Sequence, residues 1–460
     1  MALLIQNGEI VTDAGRQVAD VHCEDEQITR IGRDLAVPPG TTVIDATGKY
    51  VFPGFVDPHV HVYLPFAGTQ TRDTYETASR AALLGGTTCF IDFVNPERDQ
   101  EPLECLETWN ARSRGKSACD FTYHMTVSRF DAGIESQLRE VVARGITSFK
   151  IYLAYKGIVG LENSELEPVL RLARELGVIV PTHCENAEMI DQRQRELIAE
   201  GKTGPEWHYW SRPPVVEADG VRRLMMCAER TGAHVYVVHT TCREALAEAE
   251  AGRQRGVDVH VETCIQHLLL DKSYAERPGF EGAKYVMSPP LRDKADQDAL
   301  WAGLREGRVN TVATDHAPTN FEGQKSMGKG DFTKIPGGVP GIEHRVPLLF
   351  SRGVGQNRLS LEQFVRIAST EPARLFGLYP RKGTIAIGSD ADLVVFDPDR
   401  ETTLSAKTHA MNVDYNAYEG WTVKGWPKTV TVRGQLAVHD GEFVGEMGRG
   451  EFIAREPICV

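Results

Sequence analysis

The sequence predicts an α/β protein, a (β/α)8 TIM barrel carrying a small β-sandwich domain built from both chain ends. From about residue 57 to 380 one theme recurs, a short apolar β-rich run, a loop and a segment of helical period, which is the pattern of parallel βα units. It recurs eight times, the number that closes a barrel of this type. The two flanks read as strands without helices, and neither is large enough to enclose a core alone. The expected division is therefore 1–52 for the N-terminal part of the sandwich, 53–380 for the barrel, and 381–460 for the C-terminal part and tail. A length of 460 residues suits such a division.

In chain order, the N-terminal flank holds LLIQNGEIVT, VADVHCEDEQITRIG and TTVIDATGKYVFPG. Barrel strands then begin near Val56 and continue as TTCFIDF (87–93), FTYHMTV (121–127), TSFKIYL (147–153), GVIVPTH (177–183), HVYVVHT (234–240), VDVHVET (257–263) and NTVATDH (310–316). Between them, ESQLREVVARG, ELEPVLRLARELG and REALAEAEAGRQRG each end in glycine, the residue that closes a helix in the left-handed conformation. The C-terminal flank, DADLVVFDPD and KTVTVRGQLAVHDGEFVG, returns to strands.

Composition narrows the functional classes. Hydrophobic residues make up 41% and charged residues 25%, as in ordinary globular chains. The charge balance, 51 − 64 = −13 with no basic run interleaved with aromatics, makes nucleic acid and anionic membrane poor partners. Nine scattered cysteines without a CxxC pair fit reduced thiols in a cytosol. There is no basic leader and no run of about 18 apolar residues, so the expectation is a soluble, cytoplasmic protein.

In such a barrel, chemistry gathers at the C-terminal ends of the strands. Strand one ends in His59 and His61, strand four carries Lys150, strand five ends in His183, strand six in His239 and strand eight in Asp315. Residues two apart on a strand share a side, so His59 and His61 are able to hold one ion. Four imidazoles, a carboxylate and a lysine exceed what one four-coordinate zinc requires, which points to two divalent metal ions. Nitrogen and oxygen donors suit zinc first, then manganese, cobalt or nickel. An ammonium beside two dications is repelled, so Lys150 is expected either neutral or carbamylated to N6-carboxylysine, an anion able to bridge both metals. Taken singly, a buried histidine is more often a hydrogen-bonded core residue than a ligand. His124, His208, His234, His260, His267 and His344 keep that reading, and Cys184 reads as a packed thiol.

Longer motifs surround these residues: IDATGKYVFPGFVDPHVH, SFKIYLAYKG, THCENAE, VVHTT, KYVMSPPLR, TVATDHAP, FTKIPGGVPGIEHR and GSDADLVVFDP. Together, and in this order along nearly the whole chain, they resemble the amidohydrolase superfamily, and within it the cyclic amidases, D-hydantoinases and dihydropyrimidinases. The resemblance implies that His59 and His61 bind the more buried metal, His183 and His239 the second, that carboxylated Lys150 bridges them, and that Asp315 is a ligand serving also as acid and base. It further implies that Tyr155 hydrogen-bonds the oxyanion, that the backbone of Ser288 holds the substrate imide, and that Gly337 contacts the substrate, by its backbone unless the family contact is through a side chain that glycine lacks. A metal-bridging hydroxide is then expected to open the ring of 5-substituted hydantoins, dihydropyrimidines or both, giving N-carbamoyl amino acids. A homotetramer is implied, with a homodimer as the other arrangement.

Departures from the family pattern shape the pocket. Where many hydantoinases read PNG, this chain has Gly337 and Gly338, and Ile158 and Val159 stand where phenylalanines are common; a roomier side-chain pocket is expected. Tyr63, Leu64, Pro65 and Phe66, with Tyr152 and Val159, are expected to form an apolar gate over the metals, unless those aromatics only pack their own loop. Dihydroorotase would place an arginine at position 63, where this chain has Tyr63. Allantoinase, with a more polar substituent, is the nearer rival. A non-catalytic scaffold relative would have lost ligands that are all present here.

Overall fold

The computed structural model describes residues 2–66 and 68–458, with the backbone alone at Phe66. Eight parallel strands form the barrel: β1 (Phe55–Val60), β2 (Thr87–Val94), β3 (Asp120–Thr126), β4 (Phe149–Tyr152), β5 (Val180–His183), β6 (Val235–Val237), β7 (Val259–Cys264) and β8 (Thr311–Ala313). Each pairs with the next. The ring closes where Val60 bridges His316 and the His61 N–H donates to the His316 carbonyl at 2.9 Å. The strands are buried on both faces, as expected when helices cover a parallel sheet.

All eight runs read from the sequence are barrel strands, and the helices between them stop where glycine allows. Helix Leu166–Leu176 ends at Gly177 with φ 64°. Helices Ala132–Ala143 and Arg243–Gln254 stop one residue before the stretch Arg144–Gly145 and Arg255–Gly256 turns left-handed, at φ 85° and 94°. A β-carbon is tolerated poorly in that region, so glycine fixes the stop.

The two flanks pair into one sheet. Its order is Glu442–Phe443, Gln435–His439, Thr422–Val432, Leu393–Thr403, Tyr50–Pro53, Leu3–Thr12, Gly15–Glu24 and Gln27–Gly32, with Thr42–Asp45 also beside Leu3–Thr12. The seam between the chain ends is antiparallel, Leu393 opposite Pro53 and Phe396 opposite Tyr50. Side chains alternate across a strand: Val51 enters the sheet's own core with Leu3, Val21, Ile28 and Leu393, and Phe52 turns toward the barrel. There it meets Phe364 at 5.4 Å and Phe396 at 5.5 Å between ring centroids, both edge-on.

A second seam is ionic. Lys382, fully buried, places its ammonium 2.6 Å from Asp120 at the start of β3, 3.0 Å from Asp390 and 2.8 Å from Asp392. Among the described residues no helix is long and apolar enough to cross a membrane, and eight cysteines are free thiols; Cys459 lies outside the described residues.

Candidate metal centre

The strands deliver their polar ends to one mouth. His59 lies within β1 and His61 just beyond it, Lys150 lies in β4 and His183 ends β5. His239 and Asp315 each stand two residues past β6 and β8, with left-handed backbones at φ 37° and 48°. Tyr155, at φ 57°, follows β4 in the same way. Non-glycine residues held in this region are strained, and the surrounding packing holds them there.

Two groups of donor atoms result. His59 Nε2 and His61 Nε2 lie 3.2 Å apart, and each is 3.1 Å from Asp315 Oδ1, close enough for one ion to hold all three. His183 Nδ1 and His239 Nε2 face each other at 3.0 Å. Lys150 is fully buried and its Nζ has no hydrogen-bond partner among the described residues; it lies 4.7 Å from the Tyr152 ring centroid and 5.3 Å from that of Phe93.

Carboxylates behind the histidines fix which nitrogen points inward. Glu262 Oε1 is 2.8 Å from His59 Nδ1 and also accepts the His239 N–H at 2.8 Å, while its other oxygen accepts the Tyr236 hydroxyl at 2.9 Å. Glu185 takes His183 Nε2 at 2.8 Å and forms an ion pair with buried Arg212. His59 therefore offers Nε2 and His183 offers Nδ1, the second-layer arrangement common to histidine metal sites.

The electrostatics suit bound cations. Burial lowers His59, but the carboxylates of Glu262 and Asp315 outweigh it and raise the imidazole to about 9. Burial would raise the Asp315 carboxyl, yet His59 and His61 hold it well below the ordinary range. Burial takes His61 down to about 4, also lowers His183 and His239, and brings the Lys150 amine down to about 8. His61, His183 and His239 thus stand as the neutral imidazoles that bind metal, His59 would release its proton to an entering cation, and the lowered Lys150 amine is nearer the neutral form that takes up carbon dioxide.

These groups floor a cavity of about 780 Å³ that is also lined by Tyr155, Ser288, Gly337, Leu64, Pro65, Tyr152, Ile158 and Val159. The Tyr155 ring stands 5.4 Å from that of His183, and the Arg212 guanidinium lies 5.4 Å over it. Ser288 Oγ is 3.3 Å from His208 Nε2.

Tyr63 departs from the gate expected of it. Its left-handed turn, φ 59°, sends the ring against Tyr75, 6.2 Å away, and beneath the Arg112 guanidinium at 5.0 Å, so it packs on the barrel and does not line the cavity. Of the residues expected in the gate, Leu64, Pro65, Tyr152 and Val159 line the cavity, and the Phe66 side chain lies outside the described residues. Glu262, Glu185 and Arg212 were not singled out in the sequence. His208, read as a core residue, borders the cavity and donates to the Met287 carbonyl at 2.8 Å.

The model of the amidohydrolase family matches residues 50–437. The chain is 45% identical to the D-hydantoinase of Geobacillus stearothermophilus, over 99% of this chain and 97% of that one. It is 36% identical to the dihydropyrimidinase of Rattus norvegicus, over 99% of this chain and 89% of that one. A solved D-hydantoinase (dihydropyrimidinase) from Thermus sp. is 56% identical, covers 99% of each chain and superimposes with a TM-score of 0.98. With a barrel of this topology, these donor groups at its mouth and relatives matched end to end, the chain belongs to the amidohydrolase family.

Proposed function

We propose that this protein is a metal-dependent cyclic amidohydrolase that opens the ring of 5-substituted hydantoins, dihydropyrimidines or both to N-carbamoyl amino acids. The observation that carries the reading is that His59, His61, His183, His239 and Asp315 line one cavity together with Lys150, a buried amine with no hydrogen-bond partner among the described residues. That donor set fits two divalent cations, zinc first: His59, His61 and Asp315 would hold one, His183 and His239 the other, and Lys150, carboxylated to N6-carboxylysine, would offer its oxygens to both. A bare Nζ buried with no acceptor is costly; the carbamate offers oxygens instead. When bound, such cations supply Lewis acidity and lower the pKa of water.

The protein's own residues do the rest. Asp315, ionised at neutral pH, accepts the proton of the attacking water and returns it to the departing ring nitrogen. Burial raises the Tyr155 phenol, so the hydroxyl stays protonated and donates to the carbonyl oxygen as charge develops there. The backbones at Ser288 and Gly337 hold the imide. Leu64, Pro65, Tyr152 and Val159 exclude water around the 5-substituent. The reading also carries a cytoplasmic homotetramer, or a homodimer, which sedimentation distinguishes.

The test is hydrolysis of dihydrouracil and of both enantiomers of a bulky 5-substituted hydantoin by zinc-loaded protein with bicarbonate, against a chelated control. Metal-dependent ring opening is expected, and the ranking of substrates assigns the pocket. No turnover of any of the three by metal-loaded protein overturns the reading and directs the assay to allantoin.

A further inference from the structure

Lys325 is fully buried, and it has no carboxylate partner among the described residues. Its Nζ donates to the Val286 carbonyl at 3.1 Å and the Pro336 carbonyl at 2.9 Å. Burial alone pushes this amine down to about 7, so the position is expensive for a lysine. The turn that bears it, Lys325–Gly328, is seated hard on the neighbouring wall: a β-carbon on Gly328 would meet Ile335 Cγ1 at 2.2 Å.

The two carbonyls belong to the two segments that bring Ser288 and Gly337 to the cavity. Those segments are also joined directly, Gly338 N–H to Val286 O at 3.0 Å. The Pro336 carbonyl and the Gly337 N–H are opposite ends of one peptide group, and that N–H has no acceptor among the described residues. A donor at a peptide oxygen polarises the group and strengthens its N–H as a donor. His208 acts alike next door, at the Met287 carbonyl, whose peptide ends in the Ser288 N–H. Because residue 337 is glycine, it has only its backbone to offer a ligand, and the strength of that contact is set from behind.

We infer that Lys325 is a positioning residue for the cyclic amide: from outside the cavity it fixes and polarises the Pro336–Gly337 peptide, presenting the Gly337 N–H to a ring carbonyl of the substrate. The inference rests on the cyclic-amidase reading. Lys325 bonds to none of the six residues assigned to the metals, so its effect falls on substrate binding and leaves the metal centre intact.

The experiment is steady-state kinetics and zinc content of zinc-loaded wild type, Lys325→Met, which removes both donations at similar length, and Lys325→Gln, which keeps an uncharged NH2 donor on a shorter side chain. Expected are wild-type zinc content, a KM raised up to about tenfold in the Met variant with kcat within about threefold, and an intermediate KM for Gln, since a hydrogen bond is worth up to roughly that factor. An unchanged KM, even with lowered thermal stability, marks Lys325 as structural and overturns the inference. So does a fall in kcat alone, or failure of both variants to reach the soluble metal-loaded form. If the wild type opens no cyclic amide, the parent reading falls and takes this one with it; an active wild type with an insensitive KM overturns the Lys325 assignment alone.

Discussion

His59 shows how much of this site lies behind its ligands. Its Nε2 faces the centre because Glu262 holds Nδ1, and the same carboxylate also accepts from His239 and Tyr236. A carboxamide has one acceptor oxygen for those three donors, so Glu262→Gln is expected to weaken zinc binding by about 10- to 100-fold, read from zinc retained against a chelator. Lys150 carries a second expectation: intact protein mass falls on acidification as carbon dioxide leaves, and bicarbonate raises activity. A mass indifferent to acid would leave Lys150 as a neutral amine. The proposed ligands were legible because polar residues ending apolar strands stand out from their surroundings. Glu262 and Glu185 carried a fainter signal, carboxylates in VETC and HCEN beside runs too apolar to bury a charge without a partner. Lys325 carried none, since QKSMGKG reads as an exposed glycine turn.

At the scale of elements, all eight strands were readable from their apolar runs, and the last residues of several were not. β6 and β8 end after three residues because His239 and Asp315 leave extended geometry to reach the mouth, and local sequence does not encode that departure. The hairpin Pro65–Phe66 with Thr69–Gln70 was beyond reach for another reason: its seat is set by Gln324, whose amide donates to Thr69 Oγ1 at 2.6 Å and the Gln70 carbonyl at 2.8 Å from far along the chain. The loop after β4 governs pocket width. Filling it with Val159→Phe and Ile158→Phe is expected to lower kcat/KM for a bulky 5-substituted hydantoin roughly tenfold relative to dihydrouracil, measured by competing the two. The turn before helix Arg345–Leu349 contributes a pH dependence. Buried Glu343 accepts the Ala410 N–H at 2.6 Å, and burial raises its carboxyl to about 8. Its folded pKa lies above the unfolded one, so its contribution is complete below about pH 4.5 and is lost as pH rises through 8, by about 1.4 kcal/mol per unit in between. Glu343→Gln is expected to flatten that slope in thermal melts taken from pH 5 to 9.

For the whole molecule, two seams bind barrel to sheet. Lys382 shares Asp120 with Arg433 and Asp390 with Arg381, and is the cation 2.8 Å from buried Asp392, at the end of β3 remote from the proposed metal ligands, so Lys382→Met strands chiefly Asp392 and is expected to cost about 3 kcal/mol or more. A lowered melting temperature with unchanged zinc content and kcat at 25 °C is the expected result. The union of the two chain ends was foreseeable, because neither flank had enough apolar residues for a core; the order of strands within the sheet was not, since it depends on pairings between distant segments. That order has a consequence for how the protein is made. Tyr50–Pro53 leaves the ribosome early, while its partner Leu393–Thr403 emerges only after the barrel has been translated. At about 5 to 20 residues per second the wait is roughly 20 to 70 s. Throughout it the strand lacks its Leu393–Thr403 partner, an open edge of the kind that invites pairing with other chains, so slower translation across the barrel is expected to lower the yield of folded protein.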